Sequence, residues 1–193
     1  MLRPGLLAGA SMLVVAASAH AEDGHAGETD GAAVMRTCGE LGADARMRWL
    51  SDGDAAARDA AAADDTGLDV LVVDGHSIFM ACGLDGCLAR AWQATQTVVN
   101  RAFLERIGDG PRGGRIVYLA PRPGAGAEAD AARAGLENLA RTLSVEWARH
   151  GITTVAVALG DATTPGEAAT LATYLASPAG AYFSGCQMDL RGS

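Results

Sequence analysis

The chain has 193 residues, nearly half of them apolar, with a formal charge of −8 and a pI near 4.9. That length suffices for one domain with a substantial core, and 49% apolar content excludes the weakly hydrophobic, disordered class. The acidic balance excludes the basic face that nucleic-acid binding requires and reads as solubility instead. Every one of the 15 basic residues is arginine, which fits the codon usage of a GC-rich genome.

Residues 1–21 admit two readings. Arg3, an apolar run over 6–17 and Ala19-His20-Ala21 ahead of Glu22 have the form of a secretory signal cleaved after Ala21. The run is too short and too rich in alanine for a membrane span. Alternatively, residues 11–16 (SMLVVA) form a buried strand, and the remainder of the chain favours this reading. His20 and His25 enclose Glu22 and Asp23, but in a Gly-rich stretch such a cluster reads as solvated loop, so no metal is expected.

Downstream, helical periods at about 31–41, 53–63, 86–107, 130–149 and 165–176 alternate with apolar strand runs at 45–50, 68–73, 115–119, 153–158 and about 186–190. Continuous apolar strands separated by helices indicate a parallel sheet covered on both faces. Gly and Pro clusters at 108–114 and 121–126 mark boundaries, yet none divides the chain, so residues 1–193 read as one α/β domain.

The helix at 130–149 carries an apolar stripe of Leu136, Leu139, Ala140, Leu143 and Trp147, with a favourable Glu137–Arg141 pair on another face. Thr164-Pro165-Gly166-Glu167 has the pattern of a capping box at the start of the next helix. Cys38, Cys82, Cys87 and Cys186 form no CxxC pair and no zinc-spaced array, and buried free thiols are the expectation.

In their order, these segments resemble the short-chain dehydrogenase/reductase (SDR) family. LDVLV at 68–72 resembles its fourth strand and GGRIV at 113–117 its fifth. RAGL at 133–136, continuing to LSVEWAR at 143–149, resembles its active-site helix. AVALG at 156–160 resembles the sixth strand, and LATYLAS at 171–177 with YFSG at 182–185 and Arg191-Gly192 resembles the carboxyl end. The resemblance implies a three-layer, Rossmann-like doubly wound parallel sheet, truncated or degraded at its first βα unit. A dinucleotide needs a Gly-rich turn there to bring backbone N–H groups to the pyrophosphate, and no TGxxxGxG-like motif is present. Either residues 11–16 are the second strand, introduced by LAGA at 7–10, or residues 16–31 are a degraded form of that turn.

The family's catalytic groups are also replaced. Its Tyr and Lys positions fall on Ala129 and Arg133, and its Ser position on Ala120 or Pro121. Carbonyl reduction needs a proton donor for the developing oxyanion, and Tyr serves only when a nearby cation lowers its pKa. No catalytic residue is therefore expected. The positions that the resemblance leaves for cofactor contact are Asp74, Asn100, Arg133 and Thr164. Arg133 also reads as a helix-surface residue and Thr164 as a helix cap. Family helices of this kind pack against a second subunit, which makes Leu136, Leu139, Leu143 and Trp147 candidate interface residues.

The expected function is a non-catalytic, dimerising SDR-like subunit, paired with itself or with an active homologue, cytoplasmic and without a cofactor. One alternative is an active NAD(P)-dependent oxidoreductase of the carbonyl or 3-oxoacyl reductase type, with Tyr118, Tyr174 or Tyr182 as a displaced proton donor. Another is an exported small binding protein. Neither a nucleic acid nor a membrane is expected as a partner.

Overall fold

The computed structural model of the protein describes residues 2–17, 28–50, 67–104 and 113–190. Its strands and helices alternate as β1 (Ser11–Ala17), α1 (Asp30–Glu40), β2 (Asp44–Leu50), β3 (Val70–Asp74), α2 (Gly75–Val98), β4 (Gly114–Ala120), α3 (Ala129–Glu146), β5 (Ile152–Ala158), α4 (Pro165–Ala176) and β6 (Cys186–Asp189). The strands form one six-stranded sheet in the order β2-β1-β3-β4-β5-β6, with every pairing parallel. This is a Rossmann-like α/β architecture.

Alternation of side chains along each strand explains why the strands read as unbroken apolar runs. Leu13, Val15, Leu71, Val73, Ile116 and Tyr118 enter the core shared with α2 and α3. Met12, Val14, Val70, Val72, Val117 and Leu119 enter the core shared with α1 and α4. Both faces of the central strands are thus covered, as parallel sheets require. Burying each such Val or Leu contributes about 1.5–3 kcal/mol relative to exposure.

Residues 11–17 form an interior strand, hydrogen-bonded to edge strand β2 on one side and to β3 on the other. The crossover through α1 leads outward to β2, and the chain then returns to place β3 on the opposite side. Residues 11–17 therefore stand where the first strand of a doubly wound sheet runs. That corrects the reading of this segment as a second strand, and the first βα connection runs between Ala17 and Asp30.

Two helices depart from their expected bounds. The helix expected at 86–107 begins at Gly75, immediately after β3, because Asp74 caps it. It breaks at Gly83, where φ is 66°, and ends in a π turn at Val99–Phe103. The helix expected at 130–149 stops at Glu146, followed by a short 3-10 turn and by Gly151 in the left-handed region (φ 68°). The helix expected at 53–63 and the His20–His25 cluster lie outside the described residues.

Candidate functional site

In an open parallel sheet the strand order reverses at a switch point, and ligands bind in the crevice at the carboxyl ends of the flanking strands. Here that point lies between β1 and β3. Among the described residues its walls are the start of α1, the start of α2 and the turns after β4 and β5.

Asp74 ends β3 at the base of this crevice and is fully buried. One carboxyl oxygen accepts the Ser77 N–H at 3.0 Å and so caps α2. The other accepts the Gly31 N–H at 2.9 Å and so takes one of the orphan donors at the start of α1. Glycine at 31 permits this approach, since a Cβ there would lie 2.9 Å from the Asp74 oxygen. Burial pushes the Asp74 carboxyl above the usual carboxylate range, while the Ser77 and Gly31 N–H groups pull it down. Ser77 adds a further tie, its Oγ donating to the Asp74 carbonyl and accepting the Ala17 N–H from the end of β1.

Arg122 reaches across the crevice from the turn after β4. Its guanidinium makes a two-pronged ion pair with Asp30, the first residue of α1, at 2.5 and 2.8 Å. A third N–H bond runs to the Thr163 carbonyl in the turn after β5, at 2.9 Å. The Arg122 backbone N–H donates to His76 Nδ1 at the start of α2, at 3.5 Å. Burial, with the Arg122 charge second, depresses the His76 pKa. Gly124 N–H also bonds Asp161 across the same two turns, at 2.8 Å.

The family's Lys position departs from the helix-surface expectation. Arg133 is buried, with 5% exposure. Its Nη1 donates to the carbonyls of Pro121 and Leu159, at 2.5 and 2.9 Å, and so joins the ends of β4 and β5. Ala129 is completely buried in the core on the α3 face, and Pro121 is buried directly after β4.

The remaining candidate positions do not converge on the crevice. Asn100 lies exposed in the π turn, three residues before Phe103, which packs on Gly114 at the amino end of β4. That is the opposite edge of the sheet. Thr164 is exposed and forms a full capping box, its Oγ1 accepting the Glu167 N–H while Glu167 accepts the Thr164 N–H. Leu136 and Leu143 are buried in the chain's own core, so a second subunit cannot cover them. Leu139 and Trp147 are half-buried. The exposed large apolar residues of α2 include Trp92, and Val145 is exposed on α3.

Tyr118 sits inside the core with its hydroxyl bonded to Thr95 Oγ1 at 2.9 Å, and burial raises its pKa well above the ordinary value. Tyr174 packs against Phe183, and Tyr182 is exposed. Cys38 and Cys87 are buried, with burial pushing their thiols up to about 11 and about 12. Cys82 and Cys186 are only partly buried, against expectation. Among the described residues no cluster of three or more His, Cys, Asp or Glu could hold a metal, and no helix is long and apolar enough to cross a membrane.

Sequence reasoning singled out Asp74 and Arg133 but missed Asp30, His76 and Arg122. Their partners lie 92 residues apart for the Asp30–Arg122 pair and 46 for His76 and Arg122, and no local spacing reports such a contact.

No family model and no curated protein matches the sequence. Solved structures do match it. A short-chain dehydrogenase from Mycobacterium smegmatis superposes with a TM-score of 0.75 at 22% identity, covering 98% of this chain and 94% of that one. The citronellol catabolism dehydrogenase AtuB of Pseudomonas aeruginosa gives 0.72 at 21% identity, covering 100% and 98%. BdcA from E. coli gives 0.69 at 22% identity, covering 96% and 100%. The fold is thus that of the short-chain dehydrogenase/reductases.

Proposed function

We propose that this protein is a degenerate member of the short-chain dehydrogenase/reductase family, acting as a non-catalytic subunit that pairs with itself or with an active homologue. The observation that carries this reading is the employment of Arg133. A cation in the family's Lys position must be available to the cofactor and the catalytic Tyr. Arg133 instead holds two backbone carbonyls together, and Ala129 beside it has no proton to give. The crevice supports the same reading. Dinucleotide pyrophosphate needs N–H groups at the start of α1, but the Gly31 N–H is bonded to Asp74 and Asp30 is paired with Arg122. These residues do not fit an NAD(P) molecule in the family manner.

Subunit contact through α2 and α3 would use Trp92 and Val145, with Leu139 and Trp147 at its margin. Residues 11–17 form an interior strand paired on both sides, so the strand reading is favoured over export with cleavage after Ala21; a cytoplasmic protein is the corresponding proposal.

The test is titration of the purified chain with NADH and NADPH up to millimolar concentration, read by nucleotide fluorescence and calorimetry. No saturable binding is expected, and saturation below millimolar concentration would overturn the non-catalytic reading. Light scattering should give a dimer at micromolar concentration. A lone monomer that also fails to co-purify with a dehydrogenase would remove the subunit assignment.

A further inference from the structure

We infer that Arg122 is a latch: a built-in contact that holds the carboxyl-edge crevice shut by tying together the four walls that the described residues form. The inference rests on the reading of that crevice as closed to cofactor and supplies the device that closes it. Three of the walls are engaged by one residue. The guanidinium grips Asp30 at the start of α1 with two N–H groups and Thr163 O in the turn after β5 with a third. Its backbone N–H meets His76 at the start of α2. The fourth wall, the turn after β4, is the segment that carries Arg122 itself.

The chemistry of this contact differs from that of the chain's surface ion pairs. The Arg122 and Asp30 side chains are 16% and 2% exposed, whereas those of Arg36 and Glu28 are 48% and 41% exposed. Exposed pairs are screened and readily exchanged for water. A largely buried pair joined by two N–H bonds is costly to open, because separation leaves Asp30 charged and desolvated. Only arginine presents three N–H groups in one plane to two acceptors, so lysine cannot reproduce the latch. The groups around it are Asp30, Asp74 and Asp161, all of which favour its charge, and His76, whose protonation its charge opposes. Arg133 makes a parallel but separate tie, joining the β4 and β5 turns without reaching α1.

The latch predicts that α1 and the β5 turn open together. Hydrogen–deuterium exchange of the full chain tests this with Arg122→Gln, Arg122→Lys and, as a surface control, Arg36→Gln. In Arg122→Gln, amides of the first turn of α1 and of residues 160–164 should both exchange at least about tenfold faster, while those of β3 and β4 keep their protection. Arg122→Lys should behave like Arg122→Gln, and Arg36→Gln should leave both segments unchanged. Should Arg122→Gln fail to fold by far-UV circular dichroism, Asp30→Asn, which removes the charge but keeps an acceptor, should give the same paired acceleration. Acceleration in one segment only, in neither, or equally in Arg36→Gln would overturn the latch. Binding of NADH by the wild-type chain would instead overturn the functional reading, so the two failures are separable.

Discussion

Asp74 is a carboxyl group that does the work of two helix caps. Replacing it with alanine removes acceptors from the Ser77 and Gly31 N–H groups and should cost about 2–4 kcal/mol, from lost caps and stranded donors. Replacement with asparagine isolates the charge. Because burial raises the folded-state pKa, the group's contribution is complete below the unfolded carboxylate value of about 3.9 and is lost as pH rises through the folded value. Thermal melts between pH 4 and 8 should therefore show the wild type losing stability relative to Asp74→Asn as pH increases; parallel curves would sink this account. Arg133 shows what was legible at this scale and what was not. Three residues before Leu136 and seven before Ala140, it lies in register with the apolar stripe, and that register was the available signal for burial. Its acceptors, the carbonyls of Pro121 and Leu159, are set by the packing of α3 on two strand ends and leave no trace in local spacing.

At the scale of elements, all six strands were legible, because two-sided burial writes a continuous apolar run for each of the central ones. The capping box of α4 was legible too, being made from residues three apart. The start of α2 was not. Gly75, Gly83 and Gly86 interrupt any apolar period, and the helix is set by Asp74 and by a close approach that only glycine allows. A Cβ at Gly75 would lie 2.6 Å from the Leu119 carbonyl oxygen and 2.7 Å from Leu136 Cδ1. Gly75→Ala should therefore destabilise the protein by about 1–3 kcal/mol through overpacking, seen as a lower urea midpoint at unchanged m-value. The same substitution at Gly166, where a Cβ would meet nothing within 4 Å, is the matched control.

At the scale of the whole molecule, the decisive placement is that of residues 11–17. An apolar run that also resembles the core of a secretory signal pairs with strands on both sides, so its loss would divide the sheet. A chain starting at Glu22 is expected to show no cooperative thermal transition. A cooperative melt with native-like far-UV circular dichroism would restore the exported reading. The ambiguity had a physical origin: an interior strand of a parallel sheet and the apolar segment of a signal have the same composition. Only pairing partners tell them apart, and β3, one of those partners, begins 59 residues after β1.

That separation also shapes how the polypeptide reaches its native state. With no hairpin among the described strands, each of their pairings must close a long loop before any ladder bond forms, which places the protein among slow, high-contact-order folders. During synthesis β1 emerges ahead of both its partners, and it has no neighbour on its β3 side until Val70 has followed. For that interval SMLVVAA is an apolar, charge-free segment with open edges, the kind of surface on which nascent chains associate wrongly. The strand that anchors the finished sheet is thus the segment of the newborn chain most dependent on protection.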